Sequence, residues 1–372
     1  MAPAILEYFA DLPDPRDDRG QRHKLGDIIV IAICAVICSA DDWMQVAEFG
    51  EAKEPWLRTF LELPHGIPSH DTFNRVFGAM DAEALERCFM LWIKALAGAS
   101  KSKLIAIDGK TLRRSFDRAH KKSAIHMVSA WALENELVFA QLATEAKSNE
   151  ITAIPKLLEL LDLTGVTVTI DAMGCQREIA RKITEKGGDY VLALKGNQAT
   201  LHDEAKLFLD KIIDGSLKGI AHEFQEQTEG DHGRVETRRV WCTPQIEWFE
   251  DRAQWPGLTS FAAVECERTT GEKTTCERRY FISSLNGHDA QVMGHAVRSH
   301  WGIENSLHWS LDVSFAEDQS RMRKGNAAEN FSRLRRIALN LLKKDKMKKV
   351  GIKAKRRRAG WDEDYLLHVL TQ

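Results

Sequence analysis

LIAIDGK, residues 104–110, sets an apolar run ending in an acid against a glycine and a lysine. Leu104 to Asp108 reads as a short buried strand, and Asp108 falls where that strand is expected to give way to a turn at Gly109. The same grammar recurs in VTVTIDAMG, residues 166–174, where Asp171 closes the strand. In open α/β sheets ligands collect at the carboxyl ends of strands, so two such acids on neighbouring strands can share a metal site. Paired carboxylates are the hard oxygen donors that magnesium requires, with its other octahedral positions left for water and phosphate. A single Asp after a strand is a common turn or cap residue; the pair is what carries the signal.

Working outward, Ala124 to Trp131 and Leu137 to Thr144 alternate apolar with polar and form a hairpin turning at Glu134-Asn135. A helix from Ile151 to Leu161 follows, with Ser148, Asn149 and Glu150 as capping material. Then come the strand Val166 to Asp171, a helix Gln176 to Lys186 closed by Gly187-Gly188, and a strand Tyr190 to Leu194. The order β-β-β-α-β-α-β matches an RNase H-like core, an α/β mixed sheet flanked by helices. Beyond a helix at Leu201 to Ile213, residues 219–287 carry strand signals at Val235 to Trp241, Ser260 to Cys266 and Arg279 to Ser283, and read as a β-rich insertion. Helices at Gln291 to Leu311 and Ala327 to Lys344 complete the core.

Residues 1–98 read as an all-α N-terminal domain. Its helices are expected at Leu25 to Cys38, at Trp43 to Gly50, from Pro55, near Thr72 with Ser69 as N-cap, and at Ala82 to Leu96. Gly98 to Lys103 serves as linker. The division that follows is 1–98 helical; 104–218 core, first part; 219–287 insertion; 288–345 core completion; and 346–372 a basic C-terminal tail.

The 372 residues, 44% hydrophobic and 28% charged, have the balance of a soluble globular chain. The apolar run Ile28 to Cys38 falls well short of the roughly 20 residues of a membrane span, and the acidic opening resembles no targeting signal. With 7 cysteines and no paired CxxC, disulfides and structural zinc are not expected, and a reducing cytoplasm is. Net charge is -2, yet Lys and Arg crowd between Lys343 and Arg358 and at Arg321-Arg323-Lys324 and Arg333-Arg335-Arg336. Such patches suit phosphate, since placement matters more than the sum.

A third acid must come from another element. In RSHWGIENSLHW, residues 298–309, a helix puts His300, Glu304 and His308 on one polar stripe beside an apolar face of Ile303, Leu307 and Leu311. Glu304 is the choice; Asp312, Glu317 and Asp318 are rivals close by. Trp301 and Trp309 read as core aromatics, and no third nitrogen or thiolate is in register to make the His pair a zinc site.

Longer motifs now carry a resemblance. FADLPDPRDDRGQR (9–22), AIDGKTLR (106–113), KSNEITAIP (147–155), TIDAMGCQ (169–176), GDYVLALKGNQ (188–198) and HWGIENSLHWSLD (300–312) are similar to bacterial insertion-sequence transposases of the group that includes the H-repeat-associated proteins of Rhs elements. The resemblance spans essentially the whole chain. It implies a DDE-type transposase, with Asp108, Asp171 and Glu304 as the catalytic, metal-holding acids. It also implies two Mg2+ (or Mn2+) ions and phosphoryl transfer on double-stranded DNA without a covalent enzyme intermediate. Terminal inverted repeats as substrate, a homodimer or higher assembly on DNA ends, and a cytoplasmic, nucleoid-associated location away from membranes follow from the same likeness. Related transposases carry Tyr, Arg, Glu and Lys around the glutamate; here the matching positions are Val297, His300, Glu304 and Leu311, with Arg298 as a displaced phosphate contact. Lys110, Lys195, Asn197, Arg298, His300, Arg321, Arg323 and Lys324 are the expected DNA contacts. Two rival classes stay open: a domesticated or relic DNA-binding protein, and an RNase H-type nuclease that cuts without joining.

Overall fold

The structure, a computed structural model, describes residues 5–97, 102–116, 123–144, 149–231 and 233–371. Most of the expected linker (98–101), along with Lys147 and Ser148, lies outside the described residues. The N-terminal part holds α1 (Ile5–Tyr8), α2 (Leu25–Ile37), α3 (Trp43–Leu57), α4 (His70–Ala79) and α5 (Ala82–Ala97). Ser69 caps α4 by accepting from the Thr72 amide, as the sequence suggests. The break expected before Pro55 does not occur: α3 runs through it. Proline there removes one hydrogen bond near the helix end, and the Glu51 carbonyl it would have met sits on an exposed residue that water can serve.

The core contains β1 (Leu104–Thr111), β2 (His126–Ala132), β3 (Leu137–Thr144), α6 (Glu150–Glu159), β4 (Thr167–Ile170), α7 (Arg177–Glu185), β5 (Asp189–Leu194) and α8 (Ala199–Ile213). β6 (Glu223–Asp231), β7 (Arg234–Thr243), β8 (Ser260–Thr270) and β9 (Lys273–Ser283) follow. All nine strands join one sheet, in the order β3-β2-β1-β4-β5-β9-β8-β7-β6. β1 is antiparallel to β2 and parallel to β4, β4 is parallel to β5, and β9 returns antiparallel to β5. This is the mixed RNase H-like sheet, and residues 219–287 extend it rather than forming a separate layer. β6 carries no periodic apolar signal in the sequence, and neither does the exposed first half of β9; backbone pairing alone makes them strands.

β1 also outruns its expected end. Pairing with β2 continues through Gly109↔Val128 to Thr111↔His126, so Asp108 lies inside a strand and no turn begins at Gly109. Glycine is needed there for a different reason: a Cβ would overlap the His126 Nε2 and the Glu150 carboxylate, a buried pair that closes the opposite face of the sheet.

α9 (Ala290–Gly302) passes into a π-helical segment, Ile303–His308, and then α10 (Trp309–Val313), where one α-helix is expected. The sequence explains the widening. Ile303, Leu307, Leu311 and Phe315 recur every four residues and are all fully buried. A straight α-helix with 3.6 residues per turn drifts about 40° per four residues, so a wider turn keeps this row facing the core.

α11 (Ala327–Lys344) coincides with its expected bounds and is buried along nearly its whole length, packed on α2, α4, α5 and β3. The expectation that Arg333, Arg335 and Arg336 attract DNA is therefore corrected. Arg333 pairs with Glu86 of α5 at 2.8 Å, Arg336 pairs with Glu317 at 2.9 Å, and Arg335 lies over the Phe331 ring. Burial works against the Glu317 charge, but Arg336, Arg335 and Lys110 around it hold its carboxyl down to about 2. The tail is likewise no tail: α12 (Ile352–Trp361) and α13 (Glu363–Leu370) pack on α2. Arg356 of α12 donates to the Val36 carbonyl at 2.8 Å, and Lys355 to the Leu342 carbonyl at 2.8 Å. Lys346, Lys348, Lys349, Lys353 and Arg357 remain exposed. Among the described residues no helix is long and apolar enough to cross a membrane.

Removing one partner of a buried ion pair strands the other, so Arg336→Met is expected to destabilise the fold by about 3–5 kcal/mol in urea denaturation, with Glu317→Gln added to it restoring most of the loss. Because the folded carboxyl of Glu317 titrates below its unfolded value, the pair's contribution is present above about pH 4.5 and lost as pH falls toward 2.

Candidate active site

Asp108 and Asp171 each follow the last paired residue of neighbouring parallel strands, Ile107 of β1 and Ile170 of β4, which face each other across the ladder. Parallel strands lie about 4.8 Å apart, so the register alone brings the two acids side by side. Asp171 also caps the short 3-10 turn Ala172–Gly174: one of its carboxylate oxygens accepts from the Met173 amide at 3.0 Å and the Gly174 amide at 3.4 Å. That fixes the side chain while its second oxygen accepts no hydrogen bond among the described residues.

The helical run 290–313 crosses β1 and β4 on this face of the sheet. Its polar stripe has one partner after another. His300 Nδ1 lies 3.2 Å from Thr169 Oγ1 on β4, His308 Nδ1 lies 3.5 Å from Asp108 Oδ2 on β1, and Asp312 pairs with Lys110 of β1 at 2.7 Å. The spacing matches because two strand residues advance about 6.6 Å and four helix residues about 6 Å, so Asp108 and Lys110 meet His308 and Asp312 in step. Glu304 stands between the anchored positions, with 54% of its side chain exposed and its Oε2 3.9 Å from His308 Nδ1. The ligand atoms of Asp108, Glu304 and His308 all fall within 4.8 Å of one another.

The electrostatics fit a site built to be filled by a cation. Burial pushes the Asp108 carboxyl up to about 6, with Glu304 and Asp171 adding to the rise and His308 opposing it. The His308 ring beside it holds the Glu304 carboxyl below its ordinary value, against partial burial. Burial depresses His300. Cys175, close to Asp171, has its thiol pushed far up by burial, so it offers no nucleophilic thiolate. Carboxylates without a side-chain nucleophile suit hydrolysis or transfer by an oxygen brought in from outside.

Several expectations change with the coordinates. Lys110 is not open to phosphate: its amine is buried between Asp312 and Asp318, at 2.7 and 2.8 Å. His300 is half-buried against Thr169 rather than presented to a backbone. Of the rival acids, Asp312 and Asp318 hold Lys110, while Glu317 is buried with Arg336. Lys195, Asn197, Arg298, Arg321, Arg323 and Lys324 are all exposed. Asn197 also ties its turn to the one after β4 by donating to the Ala172 carbonyl at 2.6 Å. Trp301 and Trp309 are not core aromatics: they are 40% and 58% exposed, on either side of Glu304. The residue absent from the expected site is His308, whose signal was the four-residue step from Glu304.

Comparison with known proteins points the same way. A family model described as a transposase DDE domain matches residues 99–341, and one described as DDE_Tnp_1-associated matches residues 6–93. The chain is 43% identical over 372 residues to YncI of Escherichia coli O157:H7, which bears a transposase name, covering 99% of this chain and 94% of that one. It is 40% identical over 374 residues to the H repeat-associated protein YhhI of Escherichia coli strain K12, covering 99% and 97%. Among solved structures, a piggyBac transposase synaptic complex with hairpin DNA aligns with a TM-score of 0.43 at 10% identity, over 98% of this chain and 77% of that one, too loosely to carry an argument.

A buried acid whose folded value lies above its unfolded one destabilises the protein once ionised, and the penalty grows as pH rises from about 3.8 to about 6. In chelator, Asp108→Asn is expected to raise stability by on the order of 2–3 kcal/mol at pH 8 and by almost nothing near pH 4, as read by chemical denaturation.

Proposed function

The chain belongs to the family of transposases with a DDE domain, and from that membership we propose that Asp108, Asp171 and Glu304 are the three acids that hold its divalent metal. The family as a whole uses divalent metal to act on DNA. Here Mg2+ or Mn2+, as two ions, would supply Lewis-acid stabilisation of an in-line displacement at a DNA phosphodiester. Asp108 is held in mid-strand and Asp171 by its own turn, which supports reading both as donors ordered ahead of a ligand. Glu304, more exposed and carried on the π-helical turn, can adjust as the site fills. Among the described residues the thiol near Asp171, Cys175, is held protonated by burial, which supports leaving the attacking oxygen to water or to a free DNA 3′-hydroxyl.

Phosphate contacts fall to the exposed Lys195, Asn197, Arg298, Arg321, Arg323 and Lys324. Terminal inverted repeats as the DNA bound, assembly as a homodimer or larger complex on paired ends, and action in the cytoplasm at the nucleoid complete the reading. The observation that carries it is the meeting of Asp108 on β1 with Glu304 and His308 on the crossing helix; Asp171 is outside that cluster and is brought beside Asp108 by the strand register.

The test is a labelled, pre-cut DNA end incubated with the full-length protein and magnesium. Joining of that end to a second duplex is expected, and Ala at Asp108, Asp171 or Glu304 is expected to lower the rate by at least about a hundredfold while DNA binding stays intact. Cleavage without joining would contradict the reading in favour of a nuclease, and binding with neither would favour a relic. Full activity in the Glu304→Ala variant would remove Glu304 from the set.

A further inference from the structure

His308 stands at the site in contact range of two of the acids, and the three-acid reading leaves it without a role. The residue is 7% exposed, yet its buried Nε2 has no hydrogen-bond partner among the described residues. The other ring nitrogen, Nδ1, faces Asp108 Oδ2 at 3.5 Å and Glu304 Oε2 at 3.9 Å. Both separations exceed an ordinary hydrogen bond. They do suit donors around one small cation, where metal–ligand distances of about 2.1 Å put neighbouring donors roughly 3 Å apart and opposite ones roughly 4.2 Å apart. The three atoms lie mutually within 4.8 Å, and drawing them onto one ion would close the two His308 separations by about half an ångström to one ångström.

The backbone aims the ring. Within the π-helical segment the Trp309 amide donates to the Glu304 carbonyl, five residues back, and π-turns of this kind concentrate at functional positions. Leu307 on the core side and Lys110 with Asp312 one step further on fix the helix against β1, so His308 cannot move away from Asp108 without breaking that pair.

We propose, resting on the three-acid reading above, that His308 is a further metal ligand, binding through Nδ1 the ion that Asp108 and Glu304 share. With the ring proton on Nε2, Nδ1 presents a lone pair to that ion. Ligating histidines usually donate their other N–H to a fixed acceptor. Nε2 here has none among the described residues, so no outer acceptor fixes the ring. A nitrogen among carboxylates shifts preference away from Mg2+, which favours oxygen, toward Mn2+. The ion position served by Asp171 stays all-oxygen.

The probe is Mn2+ titrated onto the full-length protein at neutral pH and read by electron paramagnetic resonance. The expected result is a bound ion with a nitrogen coupling in the pulsed spectrum that changes on labelling with 15N-histidine. His308→Gln should lose that coupling and bind Mn2+ about tenfold more weakly, with Mg2+ competition changed far less. In His308→Ala, added imidazole should restore the coupling, which keeps the test decisive if the Gln variant packs poorly. Mn2+ that binds through Asp108, as shown by its loss in Asp108→Asn, but without nitrogen coupling would overturn the role of His308 alone. Unchanged affinity in His308→Gln would overturn it equally. Mn2+ binding indifferent to Asp108→Asn would bring down the three-acid reading with it.

Discussion

The parallel ladder between Leu104–Ile107 and Thr167–Ile170 is the constraint on which the rest depends. Parallel pairing at this register ends both partnerships at the same level, and the next residue on each strand is an aspartate. A slip of one residue would send one carboxylate through to the opposite face, where Ile105, Ile107, Val168 and Ile170 pack with α6 and α7. That apolar face therefore enforces the geometry of the polar one: burying the isoleucines and valines is what keeps two like charges adjacent, against the repulsion that helps lift Asp108.

The second layer of constraint is ionic. Lys110 joins β1 to α10 and to the loop beyond it through Asp312 and Asp318. Glu317, next to Asp318, is bound to Arg336 of α11, and Arg333 of the same helix reaches Glu86 of α5, which also accepts from the Gln141 amide of β3. The crossing helix, core sheet, N-terminal helices and C-terminal helices are thus linked through buried charges. Such pairs add little net stability over apolar packing, but they penalise any arrangement that leaves one member alone, which sets the placement of the acidic helix. The N-terminal helices, α11 and the π-helical segment even share one hydrophobic core, so the helical unit near the chain's start and the site are parts of one packed body.

The fold's centre was readable because short-range patterns and tertiary structure agree there: short apolar segments at β1 to β5, capping at Ser69, and the apolar periodicity of α11. The two aspartates were readable for the same reason, since an acid after an apolar run survives small errors in strand ends. What escaped depended on partners far away in sequence. β6 has pairing but little apolar pattern, and the arginines of α11 look like a surface cluster until Glu86 and Glu317 are brought to them. Lys110 looks like a phosphate contact until Asp312 and Asp318 arrive. The π-turn left a trace in the strict four-residue spacing of Ile303, Leu307, Leu311 and Phe315, and His308 shares that spacing with Glu304; both are visible once the helix is allowed to widen.

The central claim is that acids from β1, β4 and the crossing helix meet around a divalent cation. Crystals of the full-length protein soaked in Mn2+, with diffraction collected at the manganese absorption edge, test it most directly. The account predicts anomalous density in contact with Asp108, with Glu304 and Asp171 contributing oxygens. Manganese bound only elsewhere, at Asp312 and Asp318 for example, with the space between Asp108 and Glu304 holding water alone, would contradict it.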